Sequence, residues 1–222
     1  MSLLRSVADH RDQRSLAHRL RLRRFGRFLE LVARVPAPWA MLDVGGTPDF
    51  WRRMRFVPPP GCRIVLLNRR RPDLDPDPGL EAVLGDATDM SMFGDRCFDV
   101  VFSNSAIEHV GDRAAQERMA AEVRRVGRRY VVQTPSYWFP LEPHFLLPGI
   151  QWLPAAARAE VVFRLRPGWY GAGVRSRGEA REAVDSIRLL RRWELARLFP
   201  EARIGVERLV GLPKSYVAYG GW

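Results

Sequence analysis

Apolar and polar positions along the 222-residue chain follow two rhythms, one helical and one of short buried runs. Over residues 13–35, Leu16, Leu20, Phe25, Phe28, Leu29 and Val32 recur at helical spacing with arginines between them. That spacing predicts an amphipathic helix, and "VPAP" at 35–38 ends it. Apolar runs then take over: "WAMLDV" (39–44), "CRIVLLN" (62–68), the start of "LEAVLGDATDM", "CFDVVFSN" (97–104) and "RRYVVQT" (128–134). Each reads as a strand. Helices are expected from Pro48 to Phe56 and over 113–126, whereas Pro72, Pro76, Pro78 and Gly79 make the crossover after the second strand a loop.

Strands alternating with crossovers indicate an α/β fold, a Rossmann-like, doubly wound and mostly parallel sheet. After Pro135 the sequence turns aromatic and rich in proline and glycine, with one helix expected near 153–164. Residues 186–199 read as an amphipathic helix with Ser186 as its N-cap, and 201–221 as two strands joined by a turn at 211–213. The expected organisation is therefore a basic helical extension (1–36), a sheet domain (37–135 and 186–222) closing in a β-hairpin, and an insertion (136–185) over the sheet's carboxyl edge.

Composition narrows the class. The formal net charge is +11, carried almost entirely by arginine, with Lys214 the single lysine. The arginines are dispersed, dense only at 19–27 and 69–71, so a genome-wide bias toward arginine explains them as well as an anionic partner does. No run of eighteen uninterrupted apolar residues predicts a membrane span, and Asp9, Arg11, Asp12 and Arg14 interrupt any secretory h-region. Cys62 and Cys97 match no metal or redox spacing, which suits the cytoplasm.

"MLDVGGTPDFW" (41–51) holds the first strand-to-helix turn, the usual ligand contact of such a sheet. Gly45 and Gly46 permit close backbone approach. Thr47 and Pro48 form a competent helix start in place of a third glycine. Asp43 and Asp49 flank the turn. A pyrophosphate prefers that position without anions, while two carboxylates suit a ligand carrying positive charge. The plainer alternative is that Asp43 orders the turn and Asp49 meets the helix dipole.

At "LDVGGTPDFW", "LLN", "GDATDM", "FDVVFSNSAIEHV" and "LRRWELARLFPEARIGVERLVGLPKSYVA" the chain resembles class I S-adenosylmethionine-dependent methyltransferases, with the closest likeness to type 11 bacterial small-molecule enzymes. The resemblance implies S-adenosylmethionine as cofactor. Asp43, Gly45 and Gly46 would line its methionine and ribose, Asn68 would stand where the family has a ribose-binding acid, and Asp86 with Ala87 would meet the adenine. Ser103 and Asn104, ending the fourth strand, would lie near the methyl group, Ser103 on the cofactor side and Asn104 on the substrate side.

His109 and His144 fall in loops above the carboxyl edge and are the candidate bases, imidazole being the side chain that titrates near neutrality. Glu108 and Glu142 would orient them, with Trp138 and Phe139 lining an acceptor pocket or, equally, the insertion's own core. Quinone methyltransferases resemble the chain at "EHV" and use a metal there. Their additional upstream acid is Ser105 here, so no metal is expected. The expected activity is methyl transfer to a small molecule, at an oxygen of a sugar, a lipid-linked intermediate or a secondary metabolite. The alternatives are an RNA methyltransferase, for which no RNA-binding module is visible, and a cofactor-binding protein without chemistry. The N-terminal basic helix could pack on its own domain, meet a partner or contact a membrane surface.

Overall fold

The computed structural model describes residues 15–70 and 78–222. Part of the basic extension and most of the proline-rich crossover therefore lie outside the described residues. Ser15 caps α1 (Leu16–Val32), its hydroxyl accepting the His18 N–H. Thr47 does the same for α2 (Pro48–Met54), with Pro48 at the first helical position, as the sequence predicts.

Nine strands form among the described residues: β1 (Ala40–Val44), β2 (Arg63–Asn68), β3 (Leu80–Leu84), β4 (Val100–Asn104), β5 (Tyr130–Pro135), β6 (Leu141–Glu142), β7 (Leu147–Pro148), β8 (Arg203–Leu209) and β9 (Leu212–Gly220). Seven make one sheet in the order β3-β2-β1-β4-β5-β9-β8. The first five are parallel, and the β8–β9 hairpin adds antiparallel to β5. The predicted doubly wound sheet and terminal hairpin are both present. Strand order reverses between β1 and β4, so both strands deliver their carboxyl ends to one crevice.

Alternation along the strands fills two faces. Leu42, Val44, Val65, Leu67, Val101 and Val132 pack beneath α3 (Arg113–Val126) and α6 (Arg192–Leu198). Met41, Ile64, Leu66, Val100, Phe102 and Val131 pack against α1 and α2. Phe28 lies 4.4 Å from Phe102, centroid to centroid, and Arg24 pairs with Glu207 of β8 at 2.7 Å. The apolar face of α1 is thus spent on its own domain. Among the described residues no helix is long and apolar enough to cross a membrane.

The insertion contains α4 (Ala155–Leu165), as expected, and a helix the sequence reading missed, α5 (Arg177–Asp185). Ser186 is not an N-cap. It closes α5, and α6 starts only after Arg191, where Glu194 accepts the Arg191 N–H. A start signal for α5 was present in Ser176-x-x-Glu179, where Ser176 accepts the Glu179 N–H and the Glu179 carboxylate takes the Arg175 N–H. β4 also begins later than "CFDVVFSN" suggests, since Phe98 makes only a single bridge to Gly127. The insertion's core is aliphatic around Phe145, with Ile150, Val162, Val184 and Ile187. Trp138, Trp152, Trp169 and Tyr170 are exposed rather than inside it.

Candidate active site

At the β1 turn, alternation sends Asp43 to the α1–α2 face, where its carboxylate accepts from the Trp51 indole N–H at 2.8 Å. Burial pushes its pKa up to about 7, against the pull of that hydrogen bond. Both glycines are demanded by the protein's own packing. A Cβ on Gly46 would stand 1.8 Å from the Asp43 carboxylate. Gly45 has φ of +77° and faces the Ala106 methyl, which a Cβ would meet at 2.7 Å. Asp49 does not join Asp43 in an acidic pair. It is solvent-exposed, bonded to Arg53 at 2.9 Å, one turn along α2.

Asn68 ends β2 with its Nδ2 donating to the Gly46 carbonyl at 2.7 Å. The amide orientation follows from that carbonyl, which can only accept, so Oδ1 is the atom presented to the crevice. An acceptor thus stands where the resemblance implies an acid, and the residues fit a ribose hydroxyl. Asp86 folds into an Asx turn, accepting the Thr88 N–H and hydroxyl at 2.8 Å each and meeting Arg69 at 2.8 Å. Ser103 is fully buried, and its hydroxyl donates to the Val44 carbonyl at 3.2 Å, tying β4 to β1 rather than facing the crevice. Asn104 lines a narrow cleft on the α1 side with Arg21, Arg24 and Gln133, and is not brought to the histidines.

The second half of the crevice is built from side chains distant in sequence. A 3-10 turn (Ile107–His109) follows β4 and places Glu108 inward and His109 at the rim. His144, after β6, meets His109 with the two Nε2 atoms 3.1 Å apart. His144 Nδ1 lies 2.6 Å from the buried Glu142 carboxylate, which also accepts the N–H groups of His144 (2.8 Å) and Phe145 (2.6 Å). Glu108 accepts the Thr134 hydroxyl at 2.9 Å through Oε2, while its buried Oε1 has no hydrogen-bond partner among the described residues. Tyr170 stacks on His109 at 5.6 Å, its hydroxyl 3.5 Å from Nδ1.

Each environment moves its group differently. Burial, aided by His144, lowers His109 to about 4, so this ring is neutral near pH 7; a hydrogen bond to the Ser186 backbone acts the other way. For His144, burial favours the neutral ring, but Glu142 and Glu108 outweigh it and raise the pKa. Burial also raises Glu108. The pairing of Glu142 with His144 is as expected, but Glu108 bonds Thr134 instead of orienting His109. Thr134 and Tyr170 were not among the predicted site residues. Nothing local marks Thr134, which is known by its place at the end of β5.

No metal was expected because Ser105 lacks a carboxylate, and Ser105 indeed bonds Gln133 at 2.9 Å. Yet the insertion brings in another group. The ligand atoms of Glu108, His109 and His144 lie within 4.8 Å of one another. Behind Glu142 opens a cavity of about 340 Å³, whose walls include Tyr137, Phe145, Arg158, Arg188 and Arg191. Trp138 and Phe139 are not in its lining; Trp138 instead lies under the Arg191 guanidinium at 5.6 Å.

Residues 64–130, from β2 to the start of β5, match the family model of the methyltransferase domain. The chain is similar to that domain over 67 of its 222 residues. Its fold is shared with the PH0226 protein of Pyrococcus horikoshii (TM-score 0.53, 18% identity, 99% of this chain and 97% of that one). It is shared too with the CurJ carbon methyltransferase (TM-score 0.52, 10% identity, 86% of this chain and 51% of that one). No curated protein matches the sequence. The first turn departs from a three-glycine loop, and the second half-site comes from the insertion.

Proposed function

We propose that the chain is an S-adenosylmethionine-dependent methyltransferase that acts on an oxygen of a small-molecule acceptor, held where the insertion meets the carboxyl ends of β4 and β5. The observation that carries this reading is the buried relay from Glu142 through His144 to His109. It leaves an Nε2 pair at the crevice where an acceptor hydroxyl would give up its proton. On the cofactor side, Asn68 Oδ1 would accept from the ribose. Asp43, Gly45 and Gly46 would shape the turn around methionine, and Asp86 with the Ala87 backbone would hold adenine. Ser103 would act indirectly, by fixing β1 against β4. Among the proposed substrate-side residues, Glu142 acts through His144 and Glu108 through Thr134, while Trp138 and Phe139 would border the entrance.

S-adenosylmethionine supplies a methyl carbon already activated by its sulfonium, so the chain's task is positioning and proton handling. Glu142 fixes the His144 tautomer by taking its Nδ1–H, which leaves Nε2 to exchange the acceptor's proton. That atom works as a base only when deprotonated. Because the His144 pKa is raised, the rate climbs with pH through that raised value. The test is transfer of labelled methyl groups to a panel of hydroxylated small molecules. We expect turnover that rises with pH and falls at least a hundredfold in His144→Ala, while binding of the demethylated cofactor persists. Absence of that binding in calorimetry contradicts the reading.

A further inference from the structure

The cavity behind Glu142 carries positive charge that its own carboxylates do not answer. Arg158, Arg188 and Arg191 stand in its wall against Glu142 and Glu194. Both acids are already committed. Glu142 holds the His144 ring through Oε1 and two backbone N–H groups through Oε2. Glu194 accepts from the Arg188 guanidinium through Oε1 and from the Arg191 N–H at 2.8 Å through Oε2. Arg188 also donates to Gln116, so its fork is occupied. Arg191 keeps free capacity: its guanidinium lies 4.3 Å from the Tyr137 ring centroid, and its 3.8 Å approach to Glu194 is too long for a hydrogen bond. Arg158, in the first turn of α4, has no ion pair and no side-chain hydrogen bond among the described residues.

A second observation points the same way. Of the four buried side-chain nitrogen and oxygen atoms without a partner among the described residues, two belong to this wall, Arg158 Nε and Gln151 Oε1. Gln151 Nε2 donates to the carbonyls of Phe139 at 2.7 Å and Tyr137 at 3.3 Å, which fixes the amide and leaves Oε1 as an unused acceptor. One donor and one acceptor on the same cavity thus lack partners, a costly arrangement that a ligand can relieve.

We propose that this cavity anchors an acidic acceptor, its carboxylate or phosphate group taken by Arg158 together with Arg191. The role as acceptor rests on the methyl-transfer reading above; the binding of an oxyanion does not. A guanidinium matches such a group with a two-pronged, charge-assisted contact. Nε of Arg158 is itself covered, so that contact needs a rotation of its side chain, whereas Arg191 already rests on Tyr137. Phe145 and Ile187 offer an apolar wall to the body of the molecule. A volume of about 340 Å³ suits a compact acid. Glu142 belongs both to this wall and to the relay, so an acid anchored here is kept beside His144. A neutral analogue would leave the guanidinium unanswered and be rejected. Selection of the acceptor is then a property of the insertion.

The test compares the full wild-type chain with Arg158→Gln in calorimetry against hydroxylated acids and their neutral amides, beginning with para-hydroxybenzoate and para-hydroxybenzamide. Acids should bind about tenfold or more tightly than their amides, and the variant should lose that preference. Displacement of the acid by inorganic phosphate assigns phosphorylated acceptors to the pocket, and failure to displace it assigns carboxylates. Arg164→Gln, on α4 but exposed and paired with Glu160, should bind as wild type does. In turnover, Arg158→Gln should raise KM for acids about tenfold or more and leave kcat within about twofold, since it anchors and does not move the proton. The unliganded variant should melt no lower than wild type, because the lost cation had no partner. No acid preferred over its amide, an unchanged preference in Arg158→Gln, or a lowered melting temperature in that variant overturns the proposal. Binding of the demethylated cofactor to the same wild-type protein reports separately on the methyl-transfer reading.

Discussion

The two halves of the crevice are built on opposite plans. The β1–β2 half is local: Asp43, Gly45, Gly46 and Asn68 interlock through backbone and short side chains, and each glycine is forced by a neighbour already present. The β4–β5 half is assembled at long range, with Glu108 and His109 from one turn, Thr134 from β5, and Glu142, His144 and Tyr170 from the insertion. The first half is a matter of shape. The second is one of charge, with two buried carboxylates and two imidazoles sharing a small volume. Substitutions in the first should therefore act on stability and cofactor affinity, and in the second on rate and pH dependence.

The largest effect is expected for Glu142→Ala. It strips the partner from His144 and leaves two buried N–H groups unpaired, a loss of about 3–5 kcal/mol by analogy with a broken buried ion pair. Chemical denaturation checks this, and methyl transfer should fall with it. Next is Gly46→Ala, whose methyl overlaps the Asp43 carboxylate. Overpacking of this kind costs about 1–3 kcal/mol. Adding Asp43→Ala should recover part of the lost stability by vacating the overlap, and if the double variant is no better than additive, the packing explanation fails.

Asp43 itself supplies a pH test. Its pKa in the folded state, about 7, lies above the ordinary 3.8. Its contribution to stability is therefore full below about pH 4 and is lost as pH rises through 7. Asp43→Asn cannot ionise and should abolish that loss, gaining on the order of 2–4 kcal/mol over wild type at pH 8 relative to pH 4. Melting curves across this range are the check. A smaller effect separates geometry from family likeness. Asn68→Asp restores the acid that the resemblance implies, but here it removes the donor to the Gly46 carbonyl and sets two acceptors face to face. Affinity for the demethylated cofactor should fall by about 3–10-fold, roughly 1 kcal/mol. Smallest is Arg69→Ala, an exposed pair with Asp86 contributing under about 1 kcal/mol to stability.

These contrasts also explain what could be read in the sequence. The sheet was legible because β1, β2, β4 and β5 are apolar runs buried on both faces, and the first turn because its signals sit within a few residues of one another. The pairing of Glu142 with His144 lies two residues apart and was equally visible. Ser103 and Asn104 were misjudged because strand alternation, and not proximity to the crevice, decides where a side chain goes. Trp138 and Phe139 fail as cavity walls because aromatic content does not distinguish a lining from a rim. The convergence of Glu108 with His144 depends on how a 50-residue insertion folds back over the sheet, and no local pattern encodes it.

The central claim is that methyl transfer takes place at the long-range half of the crevice. A crystal structure with the demethylated cofactor bound tests it most directly. The account predicts the sulfur facing the His109–His144 pair with space for one acceptor oxygen between them, about 6–8 Å from either Nε2 atom. A sulfur turned toward the α1 side at Asn104, with the histidines beyond about 12 Å, is out of reach of a positioned acceptor and contradicts it.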